Sequence, residues 1–121
     1  MECLTKDIRL AKLLNESVVS EPKDLLPEVG IDDLEEPLRA GAARAGWTTL
    51  MPVQAMAIPY LLARRDMLIQ ARTGSGKTGA FLLPMLKRLD RSHPHCQALV
   101  LVPTRELARQ VWHEAETLCG D

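Results

Sequence analysis

The sequence predicts an α/β fold in which helices cover a parallel β-sheet. The second half of the chain reads as strand, helix, strand and helix, which is the order of a layered α/β domain. A glycine-rich turn joins the first of these strands to its helix. The second strand, 97–102, is apolar on both faces, as is typical of a buried parallel strand. Only two strands are readable, so we expect the 121 residues to form the N-terminal portion of a larger domain.

The N-terminal part of the chain predicts a short helix followed by a linker. Apolar residues recur there at helical spacing, at Leu4, Ile8, Ala11 and Leu14. Residues 15–27 are polar and flanked by proline, which is typical of a linker. We therefore divide the chain into an acidic extension and linker, 1–28, and a domain, 29–121. The extension is either a loosely ordered tail or a docking segment for a protein partner.

Two helices are predicted before the first strand. The first carries an apolar face, Leu34, Leu38, Ala42 and Ala45, and ends at Gly46. The second spans 52–62 and begins at Pro52, where the missing N–H of proline is harmless. The strand should then cover about residues 66–70, from which the chain enters the glycine-rich turn.

Two more helices are predicted after that turn. The first runs to about Leu89 and contains Pro84, which we expect to kink it or to mark its weakest turn. The second spans 104–118, and its apolar face has spacings of four, four and three: Leu107, Val111, Ala115 and Leu118.

The glycine-rich turn predicts a site for a nucleoside triphosphate. Its residues are Ala71, Arg72, Thr73, Gly74, Ser75, Gly76, Lys77 and Thr78. The two glycines allow the backbone N–H groups to curl inward, and the helix that follows points its positive end at an anion. Lys77, the candidate catalytic residue, supplies charge to the β- and γ-phosphates, and Thr78 supplies a hydroxyl for Mg²⁺. Ala71 replaces the first glycine of the common motif.

Gln54 and Trp47 are candidate contacts for the base of the nucleotide. A glutamine amide can accept from adenine N6 and donate to N7, a pattern that guanine reverses at its 6-position. Gly46 and Trp47 offer a turn and a flat apolar face upstream. Taken alone, a glutamine in a helix is more often a solvated surface residue.

Pro103, Thr104 and Arg105 are candidate contacts for a nucleic-acid backbone. They follow the second predicted strand, at the sheet edge where ligands of parallel sheets bind. Thr104 can cap the next helix, and Arg105 can contact phosphate without reading the base sequence. The alternative is a well-capped helix with a surface arginine.

Charge and cysteine content narrow the class of protein. Residues 1–37 carry a net charge of −6 and residues 38–121 one of +5, so only the body has the sign expected of a phosphate-binding surface. The three cysteines form neither a disulfide framework nor a zinc motif. No secretory segment and no apolar run of membrane-spanning length occurs, so we expect no membrane association and a cytoplasmic location, or a nuclear one in a eukaryote.

Together, these motifs resemble those of the DEAD-box ATP-dependent RNA helicases. The stretch 46–54 is similar to the adenine-reading Q motif, 71–78 to motif I and 103–108 to motif Ia, in the order of that family. The resemblance covers residues 29–121 and implies the N-terminal portion of a RecA-like domain that uses ATP and Mg²⁺. It implies RNA and the remainder of a helicase core as partners, and coupling of ATP hydrolysis to duplex unwinding in the full enzyme.

The sequence also departs from the family pattern. Met51 stands where the family has a helix-capping threonine. The family also has an aromatic residue near adenine, and the matching position here is about Val29. The Asp-Glu-Ala-Asp motif does not occur, so we expect the 121 residues alone to bind ATP without hydrolysing it. The alternatives are a truncated, non-catalytic module that binds ATP and RNA, and another phosphate-loop enzyme such as a DNA helicase.

Overall fold

The computed structural model describes residues 2–5 and 24–120. Within them lie two strands, β1 (Glu2–Thr5) and β2 (Met67–Gln70). Four helices are present: α1 (Glu36–Arg44), α2 (Pro52–Leu62), α3 (Lys77–Arg88) and α4 (Arg105–Cys119). Among the described residues, no helix has both the length and the apolar character needed to cross a membrane.

Helix α3 lies at the centre of the structure and packs against α1, α2 and α4. Its Leu82, Leu83 and Pro84 are among the most completely buried side chains of the described residues. The two leucines belong to an aliphatic core that all four helices or their flanking turns supply: Leu34, Leu38, Ile58, Leu82, Leu83, Val111 and Leu118. Because α3 begins directly after the phosphate loop, this packing fixes the direction in which the loop faces.

Most predicted elements are confirmed. Helix α2 has the predicted bounds, and the ends of β2, α3 and α4 differ from the predicted ones by one residue each. Pro84 lies inside α3 as expected. On α4, Val111 and Leu118 are buried and Leu107 and Ala115 pack against the core, so the predicted face is the one that folds inward.

The helix predicted from Leu4 is wrong at its beginning. Residues Glu2–Thr5 form β1, which pairs antiparallel with β2 and places Leu4 opposite Leu68. An unpaired strand edge exposes a row of N–H and C=O groups, and pairing with β1 satisfies those along one edge of β2. The rest of the predicted helix and most of the linker lie outside the described residues.

The predicted parallel sheet is not found in the described residues. Residues 97–102 form no strand, and the described sheet has two strands that run antiparallel. Burial nevertheless alternates along this segment: Val100 and Val102 pack on the core, whereas Leu99 and Leu101 are 76% and 84% exposed. A strand that is apolar on both faces needs covering layers and hydrogen-bonded neighbours on both edges, and the described residues supply only one covered face.

The segment that enters the domain is fixed to α2. The Leu26 N–H donates to the Tyr60 hydroxyl at 3.0 Å, and the Val29 N–H donates to the Ala55 carbonyl at 3.2 Å. Arg65 forms an ion pair with Asp24, and this hydrogen bond holds the pKa of the Asp24 carboxyl below its ordinary value. Asp24, Leu26 and Val29 therefore contact α2 or the turn after it, ahead of α1.

Candidate nucleotide site and nucleic-acid interface

The phosphate loop connects β2 to α3, as the sequence predicts. Gly74 and Gly76 have φ values of +76° and +87°, in the left-handed region that favours glycine. Gly76 is the residue before the first turn of α3, so the backbone turns there into the start of a helix. No heavy atom lies within 4 Å of the position that a Cβ on Gly74 would take. The loop is therefore open at Gly74, which leaves room for a ligand to approach its backbone closely.

Lys77 reaches back across the loop that precedes it. Its ammonium donates to the Ala71 carbonyl and, at 2.7 Å, to the Arg72 carbonyl. An ammonium has three donors and these bonds use two, so one donor remains. The loop carbonyls therefore hold the positive charge over the turn, where phosphate oxygens could replace them as acceptors.

Ser75 shows that the loop has unused hydrogen-bonding capacity. Its hydroxyl oxygen is buried and has no hydrogen-bond partner among the described residues. Leaving a buried polar group without a partner costs roughly 1–3 kcal/mol, so such a group is usually found with one. A phosphate held by the loop would supply an acceptor for this hydroxyl, so the residues present fit a triphosphate.

Thr78 is the candidate magnesium ligand and is partly buried at the second position of α3. The described residues contain no group of three or more His, Cys, Asp or Glu side chains that could hold a metal ion. Mg²⁺ keeps several waters and is commonly held by one or two protein oxygens together with the phosphates of a substrate. The chain thus fits a metal that is bound through the nucleotide.

Gln54 connects α2 to the phosphate loop. Its side-chain oxygen accepts from the Met51 N–H at 2.9 Å, and its amide nitrogen donates to the Gly76 carbonyl at 3.3 Å. The side chain is buried, with 3% of the residue exposed. The oxygen has a second lone pair and the nitrogen a second N–H, so one acceptor and one donor remain for a base.

Trp47 packs on the first turn of α3. A Cβ placed on Gly79 would lie 2.3 Å from the Trp47 ring, closer than any real contact, so the indole occupies the space that glycine leaves. The turn before it forms as predicted, with Gly46 at φ +74° and the Trp47 N–H bonded to the Ala42 carbonyl at 2.9 Å. Trp47 and Gln54 are thus both brought to the phosphate loop.

Met51 and Gly79 belong to this site, although sequence reasoning did not assign them to it. The Met51 sulfur would lie 2.7 Å from a Cβ on Gly76, so this side chain covers the end of the loop. From the sequence, Met51 was notable only because it replaces a helix-capping threonine. For Gly79 a signal existed, because a glycine in the first turn of a helix often marks a close approach.

Pro103, Thr104 and Arg105 form a separate site at the start of α4. All three are exposed, and the Thr104 hydroxyl accepts from the Leu107 N–H at 3.2 Å, which confirms the predicted cap. Among residues 24–120, no hydrogen bond or ion pair joins these three to the phosphate loop. The structure therefore assembles the candidate nucleotide residues into one site and leaves the candidate RNA residues apart from it.

Replacing Thr104 should weaken α4. We expect Thr104→Ala to lower the free energy of unfolding by about 1 kcal/mol, since the Leu107 N–H loses its acceptor. Thr104→Ser keeps a hydroxyl and should restore most of the loss. Urea denaturation followed by circular dichroism measures both, and equal midpoints for the alanine variant and the unmodified chain would contradict the cap.

Comparison with known proteins identifies the family. The family profile described as DEAD/DEAH box helicase matches residues 51–121. The ATP-dependent RNA helicase VAD1 of Cryptococcus neoformans is 40% identical over 114 residues, which is 85% of this chain and 18% of that protein. DbpA of Escherichia coli is 46% identical over 95 residues, 78% of this chain and 19% of that protein.

A third relative has the same kind of name. The ATP-dependent RNA helicase me31b of Drosophila melanogaster is 46% identical over 77 residues, 64% of this chain and 17% of that protein. The chain thus spans less than a fifth of the length of these relatives. With a matching profile over most of its body and motifs assembled as described above, the chain belongs to the DEAD/DEAH box helicase family.

Proposed function

We propose that this chain contributes the phosphate-binding half of the ATP site of an ATP-dependent RNA helicase. The observation that carries the proposal is the open glycine loop, in which the Lys77 ammonium lies over the turn and the Ser75 hydroxyl lacks a partner. The names of the relatives support ATP and RNA as the ligands. Coupling of ATP hydrolysis to RNA unwinding is proposed for the whole protein.

The phosphate loop would hold the β- and γ-phosphates. Backbone N–H groups of the loop and the N-terminal end of α3 would donate to phosphate oxygens, and Lys77 would exchange its loop carbonyls for them. Ala71, Arg72 and Thr73 form the first half of the same turn. Mg²⁺, when bound, offsets the negative charge on the phosphates, and the Thr78 hydroxyl is its proposed protein ligand.

The base would lie near Gln54 and Trp47. Gln54 keeps one acceptor and one donor, which match adenine N6 and N7. Its bonds to Met51 and Gly76 fix the orientation of the amide, so the pattern presented to the base is set before binding. Guanine offers an acceptor at its 6-position in place of the adenine amino group, so it should bind more weakly.

The RNA backbone would contact Pro103, Thr104 and Arg105. These residues are exposed, and the Arg105 guanidinium has no carboxylate partner among residues 24–120. Family membership implies a RecA-like fold for this region. We propose that the rest of the helicase core completes a parallel sheet, in which residues 97–102 become a strand and the exposed Leu99 and Leu101 are covered.

Competition between nucleotides tests the base assignment. We expect ATP to displace a fluorescent ATP analogue from the 121-residue chain at lower concentration than GTP does, because guanine mismatches the Gln54 amide. Gln54→Ala should reduce the difference between the displacing concentrations of ATP and GTP. Its circular dichroism spectrum reports whether the fold persists. Equal displacement by ATP and GTP from the unmodified chain would refute the role of Gln54 and leave phosphate binding intact.

A further inference from the structure

The solvent-facing side of α4 carries two arginines and a tryptophan in a row. Arg105, Arg109 and Trp112 are spaced by four and three residues, which places them on one face of a helix. All three are exposed, Trp112 by 67%. The opposite face of α4 holds the buried Val111 and Leu118. We call Arg105, Arg109 and Trp112 the α4 strip.

The arginines of the α4 strip are available for a ligand. Among residues 24–120, no ion pair or hydrogen bond engages either guanidinium. Most other cationic side chains of the described residues have partners. Arg39, Lys87 and Arg65 bind carboxylates. Arg44, Lys77 and Arg88 bind backbone carbonyls. Two unpaired arginines one helical turn apart therefore form an unneutralised positive patch.

Trp112 adds a flat aromatic surface to that patch. Tryptophan is highly buried on average, so an indole that is 67% exposed beside two free cations needs an explanation. Proteins that bind single-stranded nucleic acid combine cations along the backbone with aromatic rings on which bases stack. At 1.5 Å of rise per residue, Arg105 and Trp112 lie about 10 Å apart along the helix, so one strand can contact both.

Glu116 marks the far end of the α4 strip. It follows Trp112 by four residues and so lies on the same face, and its carboxylate is 4.0 Å from the His113 ring. A negative charge there repels phosphate. The surface suited to bind phosphate therefore extends along α4 from Arg105 to Trp112 and ends before Glu116.

We propose that the α4 strip binds single-stranded RNA, with phosphates on Arg105 and Arg109 and one base stacked on Trp112. The inference rests on the proposed function and extends the RNA path beyond Pro103, Thr104 and Arg105. Stacking on an indole accepts any base because every base has a π-face, so the strip holds RNA without reading its sequence.

The test measures binding of a short fluorescein-labelled oligouridylate to the 121-residue chain by anisotropy over a salt series. Trp112→Ala should weaken binding about five- to tenfold, which is the low end for base–aromatic stacking because the ring is exposed. The salt slope should not change, since no phosphate contact is lost. Trp112→Phe should retain most of the affinity. Arg109→Gln should weaken binding and reduce the salt slope by about 0.7, the value for one lost contact to a single-stranded phosphate.

Two arginine variants separate this inference from the proposed function. Arg64→Gln removes an exposed, unpaired arginine off the strip and should leave binding unchanged. If Arg105→Gln weakens binding while Trp112→Ala and Arg109→Gln do not, the strip is refuted and the proposed RNA contact at Arg105 stands. If Arg64→Gln matches Arg109→Gln, binding follows net charge and the strip is refuted.

Two further outcomes are also decisive. No binding of oligouridylate by the unmodified chain at low salt overturns the strip and the proposed RNA contact at Pro103, Thr104 and Arg105, and it leaves the proposed ATP site untouched. Trp112 also borders an apolar cavity of about 560 Å³ between α3 and α4. Normal RNA affinity in Trp112→Ala would overturn the proposal that a base stacks on Trp112. The ring would then serve whatever fills that cavity.

Discussion

Lys77→Ala should weaken binding of ATP by the 121-residue chain about 10- to 150-fold. Lys77 is the charged side chain that hydrogen-bonds across the phosphate loop, where it holds the Ala71 and Arg72 carbonyls. Charge-assisted hydrogen bonds contribute about 1.5–3 kcal/mol, which corresponds to that range of affinity. Titration of a fluorescent ATP analogue, with and without Mg²⁺, measures the change.

The controls for Lys77 follow from its position. The side chain is partly buried at the surface of the loop, so its removal leaves carbonyls that water can solvate, and the fold should persist. Arg64→Gln removes a positive charge elsewhere and should leave ATP binding unchanged. Unaltered ATP affinity in Lys77→Ala, with normal circular dichroism, would show that the loop binds phosphate without this ammonium or does not bind it.

Gly76→Ala should destabilise the fold by about 2–5 kcal/mol. A side chain at φ +87° costs roughly 1–2 kcal/mol in the left-handed region. The added Cβ would also lie 2.7 Å from the Met51 sulfur and 2.9 Å from the Gln54 amide nitrogen. The end of Met51 is exposed and can move aside, but the Gln54 amide is buried and held by two hydrogen bonds, so displacing it costs about 1–3 kcal/mol more. Chemical denaturation of the variant measures the sum.

Gly74→Ala is the matched control because it shares the backbone angle without the contacts. Its φ is +76°, and nothing lies within 4 Å of its Cβ position. We expect it to lose only the roughly 1–2 kcal/mol of backbone strain. The difference between the two variants isolates the contacts of Met51 and Gln54 with the loop. Equal losses of stability would mean that these contacts relax freely.

The sequence predicted the local elements well because their signals are local. The proline at the first position of α2, the glycines of the phosphate loop and the threonine before α4 each fix a boundary through their own backbone chemistry. Likewise, the residues predicted for phosphate and adenine do converge on one loop. Their roles in binding stay predictions that the experiments above address.

The sheet could not be predicted in the same way. Strand pairing depends on which edge is available in space, and no property of Leu4 or Leu68 alone announces that they lie opposite each other. The apolar segment 97–102 can form a strand only where neighbouring elements cover both its faces and both its edges. The contacts of Met51 and Gly79 likewise arise from α2 and Trp47 meeting α3, which a linear reading of residues does not contain.

The bridge made by Gln54 affects how mutational data on this region should be interpreted. The same amide supports the first turn of α2 and the backbone of Gly76 through hydrogen bonds made within the chain itself. A screen that selects only for folded protein should therefore already reject many substitutions at Gln54 and Gly76. Intolerance at these two positions is not a signature of ligand contact. Such a signature requires variants that keep full cellular abundance while they lose activity.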